Sequence, residues 1–224
     1  SSSIVGQWAY KNGIKKVVAI ITDYAPGIDA LNFFKSNFTE AGGQILEEIK
    51  APLANPDFAP FLQRARDVSP DAIFIFVPSG HGATFMKQYI ERGLDKAGIK
   101  VIGPGDVTDD DQLNNMGDQV LGTVTIHHYS AAHPSKTNKD FVAAFEKANN
   151  FRPNFMAVGG YDGMHVLYEA LKKTGGKADG EALVEAMKGL KWESPRGPTS
   201  IDPETRDVVH NEYVRKVEKV NGQL

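Results

Sequence analysis

Residues 16–43, KVVAIITDYAPGIDALNFFKSNFTEAGG, contain the pattern that decides the fold. The segment 16–22 is a short run of β-branched and apolar residues, which predicts a buried strand. The loop 23–27 follows, and the apolar residues after it recur at helical spacing, which predicts an amphipathic helix. These residues are Ile28, Leu31, Phe34, Phe38 and Ala41. The glycine pair 42–43 ends this helix.

The same order of strand, loop and helix recurs in the sequence up to about residue 128. Further strands are predicted at 44–49, 72–77, 100–102 and 122–128, with helices beginning near residue 59 and after the loop 78–82. This alternation predicts right-handed βαβ units, and therefore an α/β fold with a doubly wound parallel sheet. Ligands of such sheets bind beyond the carboxyl ends of the strands, so the loops 23–27, 78–82 and 103–108 form the predicted site.

From residue 138 the pattern becomes helical. Further helices are predicted at 156–173 and 179–190, with almost no strand between the three. Because these helices cannot pack on one another and also extend the sheet, we expect them to belong to a second body.

Composition excludes several classes of protein. The 25 Lys and Arg against 28 Asp and Glu give a net charge of −3, which disfavours nucleic acid and anionic membrane surfaces as partners. The chain has no Cys and therefore no disulfide, thiolate metal site or cysteine nucleophile. No apolar run approaches the roughly 18 residues of a membrane span, so direct membrane insertion is not expected. The first residues lack a signal-peptide pattern, and we expect any signal peptide to have been removed or never present.

Signatures of metal, cofactor and catalytic sites are also missing from the sequence. The spacing of His127, His128 and His133 matches no metal-binding motif, so no metal is predicted. A triad of Ser79, His81 and Asp106 would lack the strand-to-helix elbow of hydrolases. Neither Gly-x-Gly-x-x-Gly nor Gly-x-x-x-x-Gly-Lys occurs, and no cofactor is predicted.

Six short motifs occur in an order and spacing that together resemble one protein family. They are Asp23-Tyr24-x-x-Gly27, Asp57-Phe58, Ser69-Pro70-Asp71-Ala72, Gly103-Pro104-Gly105, Gly160-Tyr161-Asp162 and the closing segment 217–222. The family is the branched-chain amino acid type of periplasmic substrate-binding protein, the receptor component of ABC importers. The resemblance runs from about residue 8 to 222.

This resemblance implies a type I, Rossmann-like fold of two lobes joined by crossover segments. It implies that residues 1–130 plus 199–224 form the second lobe. Residues 131–198 would then be helices of the first lobe, whose sheet is absent from this sequence, so we expect the chain to be a fragment. Hinges are expected near 1–6, 129–135 and 195–200, and the helical segment should expose an apolar face.

The resemblance also suggests which loop residues contact the ligand. On the first loop it implies an aromatic contact at Tyr24, with Ala25 and Pro26 beside it, although Pro26 stands where members often carry the aromatic residue. The alternative is that Tyr24 is an ordinary loop aromatic packed on the helix. On the second loop it implies contacts from Ser79, Gly80 and His81, where His81 replaces an aromatic residue. Here the alternative is that Ser79 caps the following helix.

On the third loop, the resemblance implies that Asp106 pairs with the ammonium group of an amino acid. The alternative is that Asp106 or Thr108 caps a helix that begins near residue 109. We expect the run 109–111 to serve the positive end of that helix and to bind no metal.

The predicted function is a non-catalytic solute receptor that closes by hinge motion and delivers its ligand to a membrane permease. Aliphatic amino acids are the first expectation for the ligand, and aromatic or other small carboxylates come next. The expected location is the periplasm, with an extracellular lipid-anchored form as an alternative. A ligand sensor of the same fold is the first competing function, and an α/β enzyme is the second.

Overall fold

The computed structural model describes residues 1–224, and the chain begins with alternating helices and strands. They are α1 (Ser2–Lys11), β1 (Lys16–Thr22), α2 (Ala25–Glu40), β2 (Gln44–Ala51), α3 (Ala59–Asp67), β3 (Ala72–Phe76), α4 (Gly82–Glu91), β4 (Lys100–Pro104) and β5 (Val124–His127). Three short 3-10 turns connect β4 to β5. They span Gly105–Thr108, Leu113–Asn115 and Asp118–Val120.

The remainder of the chain contains three helices and four short strands. They are α5 (Lys136–Asn149), α6 (Phe155–Lys173), α7 (Gly180–Met187), β6 (Lys191–Ser194), β7 (Gly197–Ile201), β8 (Val208–Val209) and β9 (Tyr213–Lys216). The chain divides into two compact units. The sheet unit comprises Ser1–His127 and Val214–Leu224, and the helical unit comprises His128–Tyr213.

The sheet unit is built on six strands in the order β2-β1-β3-β4-β5-β9. β1 lies parallel to both β2 and β3, and β4 lies parallel to β3 and β5. Side chains of β1 alternate between the two faces: Val18 and Ile20 pack into one core, whereas Val17 and Ile21 pack into the other. The predicted α/β fold with a parallel sheet is therefore confirmed.

Helices α1 and α2 close one face of this sheet. The rings of Phe34 and Phe74 are fully buried and stacked with centroids 4.0 Å apart. Burial of each such ring contributes about 1.5–3 kcal/mol. A Cβ at Gly6 would lie 2.8 Å from the Phe34 carbonyl oxygen, so the backbones of α1 and α2 pack closely because Gly6 has no side chain. Residues 2–6, most of the segment in which a hinge was expected, lie in this closely packed helix.

The helical unit has a small antiparallel sheet of its own, in the order β6-β7-β8. Buried Asp162 on α6 forms an ion pair with Arg196 at 2.8 Å and accepts a hydrogen bond from Trp192 Nε1 at 2.9 Å. These two bonds attach the β6–β7 hairpin to the helix. The prediction of three successive helices is confirmed, although the last of them ends at Met187 and not at residue 190. The strands that follow return the chain to the sheet unit later than predicted.

The predicted boundary at residue 199 lies within the helical unit. Residues 197–201 form β7, which pairs with β6 along its length, so this segment stays with the helices. The chain re-enters the sheet unit at Val214. The expected hinge at 195–200 is accordingly the turn of a hairpin rather than a crossover.

The helical unit exposes several large apolar side chains, as expected from its sequence. Phe151 is 51% exposed, Met156 64% and Tyr168 55%. Its buried apolar side chains are few, because the helices have little sheet to cover. No helix of the structure is both long enough and apolar enough to cross a membrane.

Candidate functional site

Three loops lie beyond the carboxyl ends of the parallel strands, on one side of the sheet that we call the carboxyl edge. They are the segments 23–27, 78–82 and 103–108, and they follow the neighbouring strands β1, β3 and β4. Because parallel strands end on the same side, the sequence-predicted residues of these loops share one edge. A cavity of about 540 Å³ opens near the opposite edge, where β4 and β5 begin, and none of the predicted site residues line it.

The first loop places an aromatic side chain directly above the end of β1. Tyr24 is half-buried at the residue preceding α2, and its ring centroid lies 6.2 Å from that of Phe76. Ala25 and Pro26 form the exposed first turn of α2. A Cβ at Gly27 would lie 2.0 Å from the Thr22 carbonyl oxygen, so only glycine allows the helix to start this close to the strand.

The second loop connects to the third through a hydrogen bond. Ser79 Oγ donates to Asp109 Oδ2 at 2.7 Å and does not cap α4, which begins at Gly82 after His81. The alternative prediction of a Ser79 cap is therefore wrong. Gly80 is exposed with φ of 95°, a backbone conformation that favours glycine. His81 is half-buried, and its Nδ1 is buried without a hydrogen-bond partner from the protein.

The third loop forms a 3-10 turn and not the start of an α-helix. Asp106 is half-buried in the turn Gly105–Thr108, and no α-helix begins near residue 109. The expectation that the run 109–111 serves a helix end is therefore wrong. Asp109 and Asp110 are instead buried, with 1% and 6% exposure.

The acidic residues of this loop have perturbed ionisation. Burial raises the pKa of Asp106, while a backbone hydrogen bond and the charge of Arg215 act in the opposite direction. Burial raises the pKa of Asp109 to about 7, although the hydrogen bond from Ser79 opposes this rise. Burial raises the pKa of the Tyr24 phenol, and the negative charge of Asp106 adds to the effect. Tyr24 and Asp106 thus interact electrostatically across the carboxyl edge.

Arg215 holds the third loop in place, and the sequence did not indicate this role. Its guanidinium pairs with Asp110 Oδ2 at 3.2 Å and donates to the carbonyl oxygens of Gly105 at 3.1 Å and Thr108 at 3.3 Å. These partners precede Arg215 by 105 to 110 residues. No local pattern in the sequence could have linked them.

Residues 2–223 match a family model described as periplasmic binding protein. The chain belongs to this family. The resemblance stated from the sequence motifs is thereby confirmed. This periplasmic binding protein is 45% identical over 224 residues to the Leu/Ile/Val-binding protein homolog 6 of Brucella melitensis biotype 1, across 99% of this chain and 57% of that relative.

Solved structures similar to this periplasmic binding protein include two from Rhodopseudomonas palustris. A solute binding protein of an ABC transporter from strain BisB5, in complex with 3,4-dihydroxybenzoic acid, is 71% identical with a TM-score of 0.97, and the match covers 100% of this chain and 61% of that one. Another from strain HaA2, in complex with p-hydroxybenzoic acid, is 39% identical with a TM-score of 0.93, over 99% of this chain and 61% of that one. The chain therefore spans about three fifths of the length of these relatives, which are described as binding proteins and not as enzymes.

Proposed function

We propose that these residues form part of the solute receptor of an ABC importer whose ligand is a hydroxylated benzoate. The observation that carries the proposal is the 71% identity, over 100% of this chain, with a receptor solved in complex with 3,4-dihydroxybenzoic acid. The p-hydroxybenzoic acid complex of the more distant relative supports the same class of ligand. Of the ligands expected from the sequence, the aromatic carboxylates are therefore favoured over aliphatic amino acids.

The carboxyl edge has groups that suit such a ligand. Tyr24 and Phe76, with ring centroids 6.2 Å apart and ring planes at 37° to each other, offer apolar surface for an aromatic ring. Contacts between aromatic rings contribute about 0.5–1.5 kcal/mol beyond the area that they bury. His81, on the loop that follows the neighbouring strand β3, adds an imidazole whose Nδ1 has no hydrogen-bond partner from the protein.

Asp106 offers a carboxyl group that could bind either ligand class. Its half-buried carboxylate can accept a hydrogen bond from a ring hydroxyl, and such charge-assisted bonds are about twice as strong as neutral ones. In an amino acid receptor the same carboxylate would pair with the ligand's ammonium group. The name of the Brucella relative favours that second ligand class, so both enter the binding experiment.

In the proposed receptor, the sheet unit is the second lobe of the complete protein. The helices of the helical unit belong to the first lobe, whose main sheet lies outside these residues. The exposed apolar side chains of the helical unit support this arrangement, because such side chains in a folded protein are usually covered. Closure of the two lobes on the ligand would create the form that a membrane permease recognises in the periplasm.

Isothermal titration calorimetry on the full-length protein tests the proposal. 3,4-Dihydroxybenzoate, 4-hydroxybenzoate and leucine are titrated separately, and the recovered ligand is analysed for chemical change. We expect one benzoate to bind per protein, unchanged, with a Kd at least tenfold below that of leucine, a difference of about 1.4 kcal/mol. Tighter binding of leucine would overturn the ligand class, and a chemically altered ligand would overturn the receptor function.

A further inference from the structure

Three potential metal-ligating side chains converge within the helical unit. They are His128, His210 and Glu212, and their ligand atoms all lie within 4.8 Å of one another. All three residues are half-buried, so an ion from solvent can reach them. None of the three residues lies in the loops 23–27, 78–82 and 103–108.

The two imidazole rings are positioned by contacts with their surroundings. The His128 ring lies 5.1 Å from the His210 ring and packs edge-on against Phe155 at 5.6 Å between centroids. His210 Nδ1 is 3.0 Å from the carbonyl oxygen of Asn211. When Nδ1 carries the proton and donates to this carbonyl, Nε2 has a free lone pair for a metal ion. Metal-ligating histidines commonly make this kind of second hydrogen bond, which fixes the tautomer.

We propose that His128, His210 and Glu212 bind a divalent transition metal ion, for which Zn²⁺ is the best match. Two imidazoles and one carboxylate form a known zinc ligand set and leave a fourth coordination position open. Bonds of about 2.0–2.1 Å place tetrahedral ligands about 3.3 Å apart. The ligand atoms lie up to 4.8 Å apart, so side-chain rotations that move them by about 1–2 Å would bring them to this spacing.

The site connects distant parts of the chain. His128 directly follows β5, whereas His210 and Glu212 lie in the segment between β8 and β9. An ion held by all three would cross-link the first residue of the helical unit to its last segment. Because the ion binds only where these segments meet in the folded state, it should raise the thermal stability of that state. The sequence predicted no metal site. Its spacing could not reveal this cluster, because two of the three ligands lie more than 80 residues beyond the first.

Calorimetry with Zn²⁺ alone tests the site, on protein freed of its affinity tag and of bound metal by a chelator. We expect one Zn²⁺ to bind per chain. His128→Asn, His210→Asn and Glu212→Gln should each weaken binding at least tenfold, while His165→Asn, a control histidine on α6 outside the cluster, should leave the Kd unchanged. Circular dichroism identifies any variant that fails to fold, and the isosteric Glu212→Gln provides a test that preserves shape.

Co²⁺ provides a second, spectroscopic test of the same three ligands. Tetrahedral Co²⁺ absorbs visible light much more strongly than hydrated Co²⁺, so wild-type protein should develop an intense band that the His210→Asn variant lacks. Absence of stoichiometric Zn²⁺ binding, or equal binding by all three cluster variants and the control, would overturn the proposal. Since no benzoate or amino acid is present, these results are independent of the proposed receptor function.

Discussion

Replacing Arg215 by methionine is expected to destabilise the sheet unit by about 3–5 kcal/mol, because it removes one partner of a buried ion pair. The side chains of Arg215 and Asp110 are only 11% and 7% exposed, and their charged atoms are 3.2 Å apart. Methionine preserves much of the volume but leaves the Asp110 carboxylate without its cation. It also leaves the carbonyl oxygens of Gly105 and Thr108 without these donors.

Chemical unfolding in urea, followed by far-ultraviolet circular dichroism, measures the loss. The matched control is Lys219→Met, which breaks an ion pair with Asp118 of 2.8 Å in the same C-terminal segment. Those side chains are 43% and 62% exposed, so the control should cost less than about 1 kcal/mol. The double variant Arg215→Met with Asp110→Asn should recover part of the loss, since it removes the stranded charge.

Equal losses of free energy of unfolding in Arg215→Met and Lys219→Met would contradict the stabilising role of the buried Arg215–Asp110 pair. A double variant that is less stable than Arg215→Met alone would contradict it as well. Equal losses would mean that desolvation of the pair offsets its attraction in the folded state, and a less stable double variant would mean that Asp110 stabilises the fold through other contacts. The position of the third loop would then depend on its apolar contacts, such as that of buried Val107.

Further predictions concern the ionisation of Asp109 and the space around two glycines. Burial raises the folded-state pKa of Asp109 to about 7, above its ordinary value of 3.8. Between about pH 4 and 7, Asp109 is therefore protonated in the folded state and ionised in the unfolded state. This contribution to stability is present at low pH and is lost as the pH rises through 7. We measure the free energy of unfolding in urea for Asp109→Asn and for wild type. The difference, variant minus wild type, should be more positive at pH 8 than at pH 5. An equal difference at both pH values would contradict the raised pKa of Asp109. Gly27→Ala should cost about 1–3 kcal/mol, because its Cβ would lie 2.0 Å from the Thr22 carbonyl oxygen. Gly163→Ala on α6, where no atom lies within 4 Å of the added Cβ, should instead stabilise the protein by about 0.5–1 kcal/mol, and thermal melts of the two variants check the contrast.

The parallel sheet could be predicted because its strands carry strong local patterns. The run at 72–77 is apolar throughout, and β3 lies buried between β1 and β4. The second helix could be predicted for the same reason. The apolar residues of 28–41 recur at helical spacing, and α2 spans Ala25–Glu40. The three site loops were predicted from topology alone, because strand ends in a parallel sheet share one edge.

Interactions between distant residues could not be predicted. The run 109–111 has the composition of a helix start, but Arg215 and Ser79 bind two of these carboxylates and the chain forms 3-10 turns instead. The strands β6 and β8 contain four and two residues, too few for an alternating pattern to be distinguished from a loop. The buried ion pair between Asp162 and Arg196, which attaches the β6–β7 hairpin to α6, joins residues 34 positions apart.

The most direct test of the central claim is the Kd of the full-length protein for 3,4-dihydroxybenzoate, measured by calorimetry in wild type, Tyr24→Ala and Phe33→Ala. Phe33 is the matched control, because it is an aromatic residue on α2 that is 59% exposed and points away from the core. If the ligand ring lies against Tyr24 at the carboxyl edge, Tyr24→Ala should weaken binding about tenfold, and Phe33→Ala should leave the Kd within about twofold of wild type. An unchanged Kd in Tyr24→Ala would contradict the proposed site.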